Sequence, residues 1–143
     1  MAAERRAEVT WKGELFTGSG TITSVGSGAF GPLDVTWPSR AETSDGRTSP
    51  EELIAAAHAS CYCMALSNGL TKAGTPPTEL RASATVTFVP GTGITSSALT
   101  VVGVVAGIDE AAFIAAAEAA KDGCPVSGAL KGNVELSVQA SLA

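Results

Sequence analysis

The chain has 143 residues, enough for one domain with a hydrophobic core and too few for two of ordinary size. Its hydrophobic content of 45% and charged content of 16% are typical of a globular protein. The formal net charge is −5 and the basic residues are scattered, which argues against nucleic-acid binding. No targeting segment or membrane span is predicted, because the N-terminal residues are charged and the most apolar run, residues 99–108, is short. We therefore expect a cytoplasmic protein of one domain spanning residues 1–143, in which cysteines are more often free, catalytic or metal-bound than disulfide-bonded.

The first forty residues predict three strands. The segments AEVTWKG, FTGSGTITSV and PLDVTW alternate or are rich in β-branched residues, and glycine-rich turns separate them. GSGAFG at residues 26–31 matches the string of a dinucleotide-binding loop, but such a loop must open a helix. Pro32 and an alternating segment follow instead, so we reject a nucleotide site here.

A long helix is predicted to start near residue 50. Ser49 can cap it, Pro50 suits its first position, and Glu52 completes a capping box. The Ala- and Leu-rich pattern continues to about residue 68, and Gly69 or Gly74 can end it. Residues 53–66 carry almost no charge on any face, which predicts burial nearly all round. Because a short chain can hardly surround such a helix, we expect a second subunit to contribute to its burial.

The second half of the chain predicts a loop, two strands, a second helix, a short turn and a last strand. These are the TPPTEL loop, strands at residues 82–89 and about 94–106, a helix capped by Asp109 and closed by Gly123, a turn opened by Pro125, and the strand NVELSVQASL. The fold class is therefore α+β, with about six strands, a buried central helix and a second helix.

Two of the three cysteines lie on the central helix. Cys61 and Cys63 are about 200° apart on a regular helix, so they point to opposite faces and cannot share one site. Cys124 precedes Pro125 near the start of a helical turn, where unsatisfied amide groups lower a thiol pKa. It is thus a plausible reactive thiol, and its alternative is a buried turn residue.

His58 lies on the same helix face as Cys61. Both residues have structural alternatives, Cys61 as a small buried apolar side chain and His58 as a core histidine satisfied by backbone groups. A zinc site of His58, Cys61 and Cys124 would have only three ligands at an unusual spacing. Glu51, at the second helical position, is available to bind a cation, although a solvated glutamate is the common outcome there.

The segments SPEELIAAAHASCYCMALS and GCPVSGAL resemble the two motifs of the OsmC/Ohr family of thiol-dependent hydroperoxide reductases. The resemblance covers most of the chain, and His58 before the cysteine is similar to the OsmC branch. It implies that Cys61 is the peroxidatic cysteine, Cys124 the resolving cysteine and Glu51 the family's site glutamate. It also implies a site arginine ahead of the helix, for which Arg40 is the best match and Arg47 the alternative.

The resemblance also implies a mechanism. A cation at Arg40, held by Glu51, would lower the Cys61 pKa, and the thiolate would reduce an organic hydroperoxide to an alcohol. The resulting sulfenic acid would form a disulfide with Cys124, which a dithiol or lipoyl-type donor reduces. We expect no cofactor. Ten residues of helix separate Glu51 from Cys61 by about 15 Å, so either the helix bends or Glu51 serves the Cys61 of another subunit. The resemblance implies an intertwined homodimer with active sites at the interface. The alternatives are a metal-binding module and a non-catalytic protein that binds a small ligand in the same fold.

Overall fold

Six strands and four helices make up the fold, which confirms the α+β class and the number of strands. The computed structural model describes all residues from 1 to 143. The strands are β1 Ala7–Lys12, β2 Ser19–Val25, β3 Leu33–Val35, β4 Pro77–Val89, β5 Gly93–Val105 and β6 Glu135–Leu142. The helices are α1 Trp37–Ala41, α2 Pro50–Lys72, α3 Glu110–Gly123 and α4 Pro125–Leu130.

The chain divides into two compact units, Met1–Pro50 and Glu51–Ala143. The first unit holds an antiparallel sheet in the order β1-β2-β3, followed by α1. The GSGAFG segment connects β2 to β3 and opens no helix, in agreement with the rejection of a nucleotide site. A single domain over the whole chain remains a prediction.

Helix α1 is absent from the sequence prediction, which extended the third strand to Trp37. The strand ends at Val35 instead, and Thr36 caps the helix that follows. The Thr36 hydroxyl accepts from the Ser39 backbone amide at 3.1 Å, while the Ser39 hydroxyl accepts from the Thr36 amide at 2.9 Å. This reciprocal capping box begins a helix at once. Arg40 therefore lies in the last turn of a short helix and not in a strand.

The second unit holds a sheet in the order β4-β5-β6. Strands β4 and β5 form a long antiparallel hairpin, and β6 runs parallel to β5 after the crossover through α3 and α4. Strand β4 begins at Pro77, so the prediction that TPPTEL is entirely loop is wrong. Because β4 is an edge strand and Pro77 is its first residue, the missing amide proton of proline leaves no ladder bond unmade.

Helix α2 is longer than predicted, and one chain by itself buries only part of it. It runs through Gly69 to Lys72, and Gly74 with φ +86° lies just beyond its end. Within one chain only a stripe is buried, so burial of the remaining faces, which we expect from a second subunit, remains a prediction. The buried residues are Glu51, His58, Tyr62, Leu66 and Leu70.

By length and composition α2 is apolar enough to cross a membrane, but such a helix is equally typical of a soluble protein's core. Its Tyr62, Leu66 and Leu70 belong to the main hydrophobic cluster of the second unit. The Tyr62 hydroxyl donates to the Ala117 carbonyl of α3 at 2.9 Å, so its polar end is satisfied inside the core. We therefore interpret α2 as the core helix on which the rest of the second unit packs.

Candidate active site

The two cysteines of α2 point to different surroundings, as their spacing predicts. Cys61 interacts with Cys124 and with the backbone of Val126 in α4. Cys63 interacts with the backbone of Ala82 in β4 and borders a separate groove between α2 and that strand. One helix thus presents one thiol toward α4 and the other toward the sheet.

Cys61 and Cys124 come together although 63 positions separate them in the sequence. Helix α3 ends at Gly123 and α4 begins at Pro125, so Cys124 stands at the junction as the N-cap of α4. The two thiols lie close enough for each to change the other's pKa. Both are free thiols, so the structure represents the reduced protein.

Access to the two thiols differs. Cys124 is buried, with 1% of its surface exposed, whereas Cys61 is half-buried. Cys61 borders a groove of about 690 Å³ between α2 and α3, whose apolar walls include Met64, Ala65 and Ala116. A small molecule in this groove meets the Cys61 sulfur and not the Cys124 sulfur.

The pKa values of the two thiols move in opposite directions. Burial raises the pKa of Cys124, but the interactions with Ser127, with the Cys61 thiol and with the Val126 backbone outweigh burial and lower it below its ordinary value. This is the direction expected for a thiol at the start of a helix. Burial and the neighbouring Cys124 raise the pKa of Cys61. The second unit by itself therefore does not supply the low Cys61 pKa that the mechanism requires.

His58 is fully buried, and two serine hydroxyls satisfy its ring. Its Nδ1 lies 2.6 Å from the Ser97 hydroxyl of β5, and its Nε2 lies 2.8 Å from the Ser127 hydroxyl of α4. The partners are therefore side chains and not the backbone groups expected from the sequence. Burial lowers the pKa of His58, so the ring is neutral. Because both nitrogens are engaged, His58 cannot serve as a ligand of the proposed zinc site without breaking these bonds, and no group of three metal-ligating side chains exists.

The predicted charged site residues divide between the two units. Glu51, at the start of α2, is 6% exposed, so the alternative of a solvated glutamate is wrong. Arg40 lies half-buried in α1 of the first unit. Arg47 is exposed and pairs with Asp45 at 3.1 Å. The two candidate arginines thus differ in burial, since Arg40 is half-buried and Arg47 is exposed.

Sequence reasoning missed Ser97 and assigned no role to Ser127. Ser127 was present in the quoted CPVS motif, three residues after Cys124, a spacing that places two side chains on one helix face. Ser97 carries no local signal, because it reaches His58 only through the packing of β5 on α2. Both serines are nearly inaccessible to solvent, at 0% and 2% exposure.

Comparison with known proteins identifies relatives of this chain. The family model of the OsmC-like proteins matches residues 43–139. Peroxiredoxin OsmC of Escherichia coli strain K12 is 39% identical over 142 residues, which cover 97% of this chain and 98% of that protein.

Solved structures share the fold. The organic hydroperoxide resistance protein OhrB of Bacillus subtilis superposes with a TM-score of 0.68 at 25% identity, covering 95% of this chain and 98% of that one. An organic hydroperoxide resistance protein from Elizabethkingia anophelis superposes with a TM-score of 0.71 at 22% identity over 100% of both chains.

The chain therefore belongs to the OsmC-like protein family. Its nearly full-length similarity to a peroxiredoxin makes it a thiol-dependent peroxidase within that family.

Proposed function

We propose that the protein reduces organic hydroperoxides to alcohols through Cys61 and Cys124. The observation that carries the proposal is the pairing of an accessible thiol with a buried one. Cys61 borders the groove, and Cys124 lies behind it within interaction distance. An attacking thiol must meet substrate, whereas a resolving thiol must meet only the oxidised partner.

The reaction has three steps. The Cys61 thiolate attacks the outer oxygen of ROOH, the O–O bond breaks, and the alkoxide leaves as ROH after taking a proton. Cys61 is then a sulfenic acid. The Cys124 thiolate attacks the Cys61 sulfur, hydroxide leaves as water, and a Cys61–Cys124 disulfide forms. A dithiol or lipoyl-type donor restores both thiols by exchange and becomes a disulfide itself.

The first step requires a positive charge beside Cys61. Burial and Cys124 raise the Cys61 pKa, so a cation must offset both effects. We assign this cation to Arg40, with the buried Glu51 as the carboxylate that holds its guanidinium. Because Glu51 lies ten residues before Cys61 on one helix, about 15 Å away, the assignment includes a homodimer in which two subunits build each site.

The groove favours an organic substrate. Its lining is mostly alanine, glycine and methionine, which gain more from contact with an alkyl group than with hydrogen peroxide. A function in the cytoplasm, where dithiol donors remain reduced, agrees with three free cysteines.

The proposal is tested by peroxide consumption with a dithiol donor, comparing cumene hydroperoxide with hydrogen peroxide. Cys61→Ser should lose at least about 100-fold in turnover, because serine is a far weaker nucleophile at neutral pH. Cys124→Ser should form the sulfenic acid once and then fail to form the disulfide. Cys63→Ser is the matched control on the same helix and should retain activity.

Two results contradict the proposal. Reduced wild-type protein that consumes neither peroxide removes the catalytic function and favours a ligand-binding role for the groove. A Cys61→Ser variant with undiminished turnover removes Cys61 as the nucleophile even if the protein is an active peroxidase.

A further inference from the structure

A buried chain of hydrogen bonds leads from the sheet to the helical turn that follows Cys124. It begins at Ser97 on β5, passes through both nitrogens of His58, and ends at Ser127, at distances of 2.6 and 2.8 Å. Ser127 lies at the third position of α4, one turn after the N-cap Cys124, where a side chain lies beside the cap residue. The proposed mechanism uses neither His58 nor either serine.

Counting protons fixes the direction of this chain. Each serine hydroxyl donates one proton, and the neutral imidazole donates one, so three donors are available. If Ser127 gives its proton to His58, it has none for a sulfur anion. If His58 carries its proton on Nε2 and donates to Ser127, the Ser127 proton is free for Cys124, and Ser97 donates to Nδ1. Only this second arrangement ends with a proton directed at Cys124.

We propose that His58 is a positioning residue that, as its Nε2–H tautomer, holds the Ser127 hydroxyl as a hydrogen-bond donor to the Cys124 thiolate. The reverse direction suits the protonated state: the Cys124 thiol donates to Ser127, Ser127 donates to Nε2, and Nδ1–H donates to Ser97. The tautomer of His58 therefore follows the charge of Cys124. When Cys124 gains a proton the ring loses one from Nε2 and gains one at Nδ1, so the imidazole stays neutral in both states. Both effects of Ser127 on Cys124, through its backbone and its side chain, favour the anion, in agreement with this direction.

Few other titratable groups act on Cys124. Cys61 and Tyr62, both on α2, interact with it. Burial raises the pKa of Tyr62 above its usual range, and its hydroxyl donates to a carbonyl, so Tyr62 stays neutral. Strand β5 contributes only the non-ionisable Ser97. The charge on Cys124 is therefore controlled locally by Cys61 and by the His58–Ser127 pair.

The consequence for turnover rests on the proposed function. A donor thiol entering from the groove reaches the Cys61 sulfur, so Cys124 is the leaving group when the disulfide is reduced. A leaving thiol with a lower pKa leaves faster. Losing the Ser127 donor should therefore slow the reduction step and leave the peroxide step unchanged.

The first test titrates Cys124 as the only thiol, in a Cys61→Ser, Cys63→Ser background, by the ultraviolet absorbance of the thiolate. Ser127→Ala should raise the pKa of Cys124 by about 1, since it removes one hydrogen bond to a charged group. Ser127→Thr retains the hydroxyl and should restore the original pKa. An unchanged pKa in Ser127→Ala, or an equal rise in Ser127→Thr, overturns the proposal.

The second test needs no substitution in the network. His58 is the only histidine, so its two nitrogen signals are unambiguous in ¹⁵N NMR of the reduced protein. The Nε2–H tautomer should prevail above the Cys124 pKa and give way to Nδ1–H below it. A tautomer that does not change across that titration overturns the proposal.

The two tests separate this inference from the proposed function. Both follow thiol and ring protonation and neither requires peroxide turnover. If Ser127→Ala shifts the Cys124 pKa but the wild-type protein does not consume peroxide, the inference stands and the proposed function is contradicted. If the protein consumes peroxide but Ser127→Ala leaves the Cys124 pKa unchanged, the proposed function stands and the inference is contradicted.

Discussion

The three cysteines of this protein differ in pKa because their surroundings differ. Cys61, Cys63 and Cys124 are all free thiols, but burial raises the pKa of the first two, while Ser127 and Cys61 help to lower that of the third. The accessible thiol of the reacting pair is the less acidic one. The cation assigned to Arg40 is thus the part of the mechanism on which the Cys61 thiolate depends most.

His58 makes folding stability depend on pH. Burial lowers its folded pKa below the ordinary value of about 6.5, so the folded protein binds this proton less readily than the unfolded chain does. The free energy of unfolding should therefore be fully retained above about pH 6.5 and fall on acidification, by at most about 1.4 kcal/mol per pH unit from this group, until the folded pKa is passed. Urea unfolding at about pH 7.5 and about pH 5.5 measures the difference.

The matched control for this prediction is His58→Gln, which retains a donor and an acceptor but does not titrate. We expect it to be less stable at neutral pH and to have a shallower decline on acidification. Equal declines in the two proteins would mean that carboxylates alone account for the acid sensitivity.

At the scale of the element, α2 positions most of the candidate site. His58 lies on its buried face. Cys61 points toward α4, and Cys63, two residues later, points toward β4. The helix extends past Gly69 because continued packing of Leu70 in the core outweighs the local preference of glycine to end a helix. It ends where Gly74 adopts a left-handed conformation and Thr75 donates its amide proton to the Leu70 carbonyl.

Two glycines at the end of α2 should respond oppositely to alanine. Neither added methyl group would meet an atom within 4 Å, so backbone conformation alone decides. Gly69 is helical, and Gly69→Ala should stabilise the protein by about 0.5–1 kcal/mol. Gly74 has φ +86°, and Gly74→Ala should destabilise it by about 1–2 kcal/mol. Chemical unfolding of both variants beside wild type measures the signs, and a shared sign would contradict the end assigned to α2.

At the scale of the whole molecule, one face of α2 remains uncovered within a single chain. Residues 53–71 carry no charged side chain, and Met64 on this helix is 72% exposed. An exposed helix face that carries a large apolar side chain and no charge is typical of an interface between subunits. This exposure supports the homodimer of the proposed function, in which the partner covers what the chain itself leaves open.

A single charge on this face should disrupt the dimer. Ala57 is exposed on α2, and Ala57→Glu should shift the protein from dimer to monomer at micromolar concentration, because the interface would have to bury an unpaired carboxylate. Ala115→Glu places the same charge at an exposed position on α3 and should leave the dimer intact. Sedimentation velocity distinguishes the species. A monomeric wild type would contradict the proposal that two subunits build each site.

The elements of this protein follow largely from local sequence. Local patterns of alternation and β-branched residues predicted the strands. The predicted Asp109 cap is confirmed, since its carboxylate accepts from the Ala112 amide at 2.8 Å, and Pro125 opens a short helix as expected. These signals involve residues only three or four positions apart, so they do not depend on tertiary contacts. The structure differs from the prediction at α1 and at the early start of β4. Both elements have a proline at or near their first residue, and proline is compatible with the start of a helix as well as the start of an edge strand.

The site depended on tertiary structure. The sequence determined that Cys61 and Cys63 face apart, because helix geometry is local, and the family motifs singled out Cys61 and Cys124. Only packing brings those two thiols together and places His58 between Ser97 and Ser127, which lie 39 and 69 positions from it. Such contacts are the sum of many weak interactions across a core, and no single segment encodes them. The pKa values, which depend on burial and on distant neighbours, are decided at the same level.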